Sequence, residues 1–87
     1  MSYFVYVLLC SDNTYYTGCT NNLEKRLKEH NTSKSGAHYT KIRRPVKLMY
    51  KEKYKTLKVA RKREKEIKNW SRERKKALLK ESESVIK

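Results

Sequence analysis

Eighty-seven residues with 23 Lys and Arg against nine Asp and Glu carry a net charge of +14. The length allows one modest core and excludes a catalytic domain joined to a separate recognition domain. Such a charge costs stability by self-repulsion unless a polyanion offsets it, so nucleic acid is the expected partner and a monomer the expected state. The apolar run from residue 3 to 10 falls far below the roughly 20 residues of a membrane helix, which argues against a membrane partner.

Residues 3–10 and 14–20 are rich in Val, Leu, Tyr and Thr, and Ser11-Asp12-Asn13-Thr14 between them is turn chemistry. They are expected to form an antiparallel hairpin. In it Cys19 falls opposite residue 6 or 7, roughly 10 Å or more from Cys10 and beyond disulfide reach. Free thiols suit a reducing cytoplasm, the expected location. Asn21 or Asn22 can cap a helix to about residue 31, with Leu23 and Leu27 on one face and Arg26 and His30 on the adjoining one.

Residues 32–44 read as a connection holding one short helical turn, the least ordered internal stretch. Residues 46–53 alternate Val46, Leu48 and Tyr50 against Lys47, Met49 and Lys51, which predicts a third strand with one face solvated. Thr56 then caps a helix over 57–69, and Ser71 caps another to about residue 80. The sum is a single α+β domain over residues 1–81, a three-stranded antiparallel sheet flanked by helices in the order β-β-α-β-α-α, with 82–87 expected to fray.

The charge is uneven along the chain. Residues 1–40 hold four basic and three acidic side chains, and residues 41–87 hold nineteen and six. Lys41, Arg43, Arg44, Lys68 and Lys76 are the candidates for phosphate contact. Tyr50 and Tyr54 among the lysines suit stacking on single-stranded or distorted nucleic acid. Trp70 is expected to pack between the last two helices.

Tyr6 and Tyr16 fall on adjacent predicted strands, and Arg26 and His30 are one helical turn apart, so the four can converge on one phosphate. Convergence requires an even register sum, hence an odd-length hairpin connection such as Asp12-Asn13-Thr14. Glu64 lies on its helix's packing stripe between Ala60 and Ile67, where an unpaired carboxylate would cost several kcal/mol. A divalent cation or an ion pair to Lys68 would satisfy it.

Tyr6 in Val5-Tyr6-Val7, Tyr16-Thr17-Gly18, Asn22-Leu23, Arg26, His30 and Glu64 in Ala60-Arg61-Lys62-Arg63-Glu64 together resemble the GIY-YIG nucleases, in particular their short single-domain bacterial members. The resemblance covers nearly the whole chain. It implies an endonuclease that hydrolyses phosphodiester bonds, with DNA favoured over RNA. Tyr6 would accept or orient the proton of the attacking water, Arg26 and His30 would stabilise the phosphate, and Tyr16 would position it. Glu64 would hold Mg²⁺, with Mn²⁺ as a substitute.

A phenolate at neutral pH costs about 4 kcal/mol, so Arg26 and the metal are expected to favour that form of Tyr6. Gly18 is expected to let a phosphate or the helix start come close. With no separate reading domain, single-stranded, branched or damaged structures are the expected substrates, at low sequence specificity. Lys76 stands where many members have asparagine, and the first motif, Val5-Tyr6-Val7, lacks its leading glycine. The competing readings are a nucleic-acid-binding module without catalysis and a nuclease subunit that needs a protein partner.

Overall fold

The computed structural model describes residues 2–32 and 43–86, with side chains through residue 80. The connection expected over 32–44 therefore lies largely outside the described residues, as does Lys41. Three strands, β1 (Tyr3–Leu9), β2 (Tyr15–Thr20) and β3 (Lys47–Tyr54), form one sheet in the order β2-β1-β3, and both pairings are antiparallel. Among the described residues three helices accompany it, α1 (Leu23–Thr32), α2 (Leu57–Lys68) and α3 (Arg72–Ile86). The α+β architecture and its element order are those predicted.

β1 takes the central place because its side chains are apolar on both faces. Val5, Tyr6, Val7 and Leu8 are buried in succession, as a strand covered on both sides requires. Val5 and Val7 pack with Ala60, Ile67 and Leu79 beneath α2 and α3. Tyr6 and Leu8 pack on the opposite face with Cys10, Val46, Leu48 and the α1 residues Leu23 and Leu27. The sheet is thus a partition between two small cores.

The hairpin turns through three residues, Ser11-Asp12-Asn13, one position earlier than expected but of the required odd length. Cys10 N–H donates to the Thr14 carbonyl at 2.8 Å, and Asn13 N–H donates to the Cys10 carbonyl at 3.0 Å. Asn13 takes the left-handed conformation, φ 66°, which a three-residue hairpin demands at its last position and asparagine tolerates. Arg43 braces the turn through an ion pair to Asp12 at 2.9 Å. Cys19 pairs with Val5, farther along the ladder than expected, and both cysteines are free thiols.

β3 departs from simple alternation. Val7 pairs with Tyr50 but Leu8 pairs with Leu48, so Met49 is an extra residue bulged out of the ladder. The bulge sends Val46 and Leu48 to the α1 side and Met49 and Tyr50 to the α2–α3 side, which corrects the expectation of one solvated face.

Thr56 and Ser71 cap their helices as predicted, with Thr56 Oγ1 accepting from Val59 N–H at 3.3 Å and Ser71 Oγ accepting from Arg74 N–H at 3.2 Å. α3 continues to Ile86, past the expected stop near residue 80, because no Gly or Pro follows to end it. Among the described residues no helix is long and apolar enough to cross a membrane.

Candidate active site

The site is built on the α1 side of the sheet. The odd turn makes Tyr6 the cross-strand partner of Gly18 and Leu8 that of Tyr16, which places Tyr6 and Tyr16 on one face, diagonal neighbours. Their ring centroids are 6.5 Å apart. Asn22 caps α1 by accepting Lys25 N–H on Oδ1 at 3.1 Å, and the helix then lays Arg26 and His30 over that face. His30 is fully buried, with its ring 5.8 Å from that of Tyr6 and 5.1 Å from that of Tyr16.

Tyr6 OH and His30 Nε2 are hydrogen-bonded at 2.8 Å, and Arg26 hydrogen-bonds the same hydroxyl. Burial lowers the His30 pKa to about 4, helped by the charge of Arg26, so the imidazole is neutral at pH 7 and free to accept from Tyr6 on Nε2. Burial raises the Tyr6 phenol well above its ordinary value, and Arg26 only partly opposes it. Of the groups expected to favour the phenolate, Arg26 by itself falls short, because desolvation outweighs one neighbouring cation. Tyr6 stays protonated with its proton held against a neutral base.

Gly18 has a different reason from the one anticipated. A Cβ built there would lie 2.3 Å from the Tyr6 hydroxyl and 2.5 Å from its Cζ, so the missing side chain makes room for the Tyr6 ring rather than for a phosphate. The neighbouring Thr17 points to the helix pair. It is buried, and its Oγ1 finds no hydrogen-bond partner among the described residues.

Glu64 approaches from α2. Its carboxylate is 20% exposed and paired with Lys68 Nζ at 3.0 Å, the ion pair that was one of its two expected partners. Lys68 Nζ in turn lies 6.0 Å from the Tyr16 ring, and the Glu64 charge is among those that raise the Tyr6 pKa. Tyr6, Tyr16, Arg26, His30, Glu64 and Lys68 therefore form one neighbourhood.

Among the described residues no three His, Cys, Asp or Glu side chains are grouped as metal ligands. A single partly exposed carboxylate is still compatible with Mg²⁺, which is commonly held by one or two carboxylates with waters and substrate phosphate.

The other basic candidates lie elsewhere. Arg44 closes the C-terminal end of α1, donating to the His30 carbonyl at 2.5 Å and the Glu29 carbonyl at 3.2 Å. Arg43 holds the hairpin. Lys76 is exposed beside Tyr15 and Met49 on the α2–α3 side.

Tyr50 and Tyr54 are not a stacking platform. Both hydroxyls donate to Glu52, which Arg63 also clamps at 2.9 and 3.1 Å, on the face opposite Tyr6. Trp70 packs against the α2–α3 core and lies between the guanidinium groups of Arg63 and Arg74, 4.9 and 4.3 Å from its ring.

Two lysines escaped the sequence reading. Lys51 is the direct partner of Tyr6 and Lys53 that of Phe4, so both share the face of the site. Simple alternation set Lys51 opposite Leu48, and the bulge at Met49 puts them together.

This fold with these residues converging at a β2-edge site defines the class. The GIY-YIG catalytic domain model matches residues 2–77, and the chain belongs to the GIY-YIG family, a family of nucleases. Its similarity is strong to short bacterial members known as UPF0213 proteins. One from Syntrophus aciditrophicus is 54% identical over 79 residues, covering 91% of either chain. One from Staphylococcus aureus is 49% identical over 80 residues, covering 92% of this chain and 96% of the relative.

Two solution NMR structures share the fold. That of a UPF0213 protein from Bacillus halodurans has a TM-score of 0.59 at 36% identity, over 92% of this chain and 84% of its own. That of a protein from E. faecalis has a TM-score of 0.65 at 42% identity, over 95% and 88%.

Proposed function

We propose that the protein is a Mg²⁺-dependent endonuclease that hydrolyses phosphodiester bonds in single-stranded or branched DNA with low sequence specificity. The observation that carries this reading is the Tyr6 hydroxyl set between neutral His30 and cationic Arg26. In the attack, a water proton passes to the Tyr6 oxygen while the Tyr6 proton passes to His30 Nε2. The hydroxide oxygen bonds to phosphorus and the bond to the leaving oxygen breaks, that oxygen taking its proton from solvent.

No free phenolate is formed, so the cost of ionising a buried phenol is avoided. The arriving phosphate offsets the Arg26 charge that depresses His30, which strengthens the imidazole as a base when substrate is bound. Arg26 holds the phosphate as its negative charge grows, and Tyr16 sets its position. Mg²⁺, or Mn²⁺ in its place, held by Glu64 would supply charge stabilisation at the phosphate and leaving oxygens.

A specific observation favours one alternative. The Glu64–Lys68 pair occupies the carboxylate with a cation of the chain's own, as suits a nucleic-acid-binding module without cleavage. Labelled single-stranded, flap and duplex DNA and RNA, incubated with Mg²⁺ or EDTA, decide between them. Cleavage is expected with Mg²⁺ and lost in Tyr6→Phe and Glu64→Ala. Metal-independent binding without cleavage of any substrate by the wild type would establish the module instead.

A further inference from the structure

Among the described residues, α1 covers one end of the face that carries Tyr6. Leu23 and Leu27 close over Tyr6, Leu8 and Leu48. At the other end Phe4 stands between its partners Thr20 of β2 and Lys53 of β3, and Lys51 is paired with Tyr6 itself. Lys51 and Lys53 are exposed and make no ion pair among the described residues. Phe4, the chain's one phenylalanine, is half-buried and belongs to neither core cluster of the described residues. A partly exposed aromatic ring thus stands beside two lysines on the same face as the candidate nucleophile-activating tyrosine, on a protein of charge +14.

We propose that Phe4, Lys51 and Lys53 form a track for the unpaired nucleic-acid strand that leads away from the phosphate attacked at Tyr6. The track rests on the nuclease reading for its direction. Paired residues on one face stand about 5 Å apart, which sets Lys51 beside the reacting phosphate. Residues i and i+2 on a strand are about 6.6 Å apart, close to one nucleotide step, so Lys53 meets the next phosphate. Phe4, on the same row as Lys53, stacks on the base between them. Only an unpaired base presents its ring to such a platform, so the track selects single strands over duplex.

The test measures binding without cleavage. Full-length Tyr6→Phe protein in EDTA is titrated with a fluorescein-labelled single-stranded oligonucleotide and with its duplex, over a range of salt, by fluorescence anisotropy. Replacing both Lys51 and Lys53 with Gln is expected to weaken single-strand binding about tenfold. It is also expected to reduce the slope of log affinity against log salt by about 1.4, two phosphate contacts at about 0.7 each. Phe4→Leu is expected to cost about tenfold and to abolish the quenching of a 2-aminopurine base near the scissile position.

Lys62→Gln with Lys65→Gln, an equal charge change on exposed positions of α2, controls for charge alone. An equal loss in both double variants, a preference for duplex, or no effect of Phe4→Leu would overturn the track. If the wild type cleaves nothing yet binding needs Lys51, Lys53 and Phe4, the hydrolysis fails and the track stands. If cleavage proceeds but the track variants bind and cut as the wild type does, the track alone fails.

Discussion

Gly18→Ala isolates the packing on which the site depends. The added Cβ would meet the Tyr6 hydroxyl at 2.3 Å and Cζ at 2.5 Å, about 1 Å or more inside the usual contact of about 3.5–4.0 Å. Tyr6 is buried at 2% exposure, so its ring moves only by disturbing Leu23, Leu27 and His30. Overpacking of this kind costs about 1–3 kcal/mol, which for a domain of this size lowers the unfolding midpoint by roughly 5–20 °C.

Displacing the hydroxyl by about 1 Å also breaks its 2.8 Å bond to His30, and a misplacement of that size costs about 100-fold in rate. Thermal unfolding and single-turnover cleavage read the two effects. The same substitution made in a Tyr6→Leu background should cost less than about half as much stability, since the ring it strikes is gone. An unchanged midpoint and rate for Gly18→Ala, or full additivity with Tyr6→Leu, would refute the argument.

Three further outcomes are expected. His30 titrates near pH 4 in the folded protein and near 6.5 when unfolded, so its contribution to stability is complete above pH 6.5 and falls by about 3 kcal/mol as pH drops to 4. The unfolding midpoint of His30→Gln should vary less than that of the wild type across this window, and parallel profiles would refute the assignment. Thr17→Val, which removes a buried hydroxyl without a partner, should raise the midpoint by about 4–8 °C, roughly 1 kcal/mol; a fall would show that the hydroxyl is satisfied. Lys68→Met should tighten Mn²⁺ binding, followed by electron paramagnetic resonance, about fivefold by releasing Glu64, the worth of an exposed ion pair. Weaker binding would show that Lys68 and the metal do not compete.

What the sequence made legible was local. Asn22, Thr56 and Ser71 cap helices because their side chains reach amides three residues on, an interaction that needs no knowledge of the rest of the chain. The odd connection between β1 and β2 follows from asking Tyr6 and Tyr16 to share a face.

The bulge at Met49 was not legible, because it arises from how β3 fits β1 rather than from any property of methionine. With it went the correct faces of Tyr50, Lys51 and Tyr54. The weight of desolvation on Tyr6 was not legible for a similar reason: Arg26 was visible in the sequence, but the burial that outweighs it comes from Leu23, Leu27 and the sheet together. Gly18 could be recognised as a position of close approach, while the identity of the approaching group required the register.

The placement of Tyr6 inside the smaller core has a consequence for how such domains diverge. A phenol that fills space beneath α1, with Gly18 shaped to seat it, is retained by folding even in a descendant that cleaves nothing. The tyrosine and glycine that make the family easy to detect are therefore poor witnesses to activity. The partly exposed Arg26 guanidinium and Glu64 carboxylate are held by polar contacts and fill no core space, so folding constrains them less once catalysis is lost. Their survival in a distant copy would be the better sign that the chemistry has been kept.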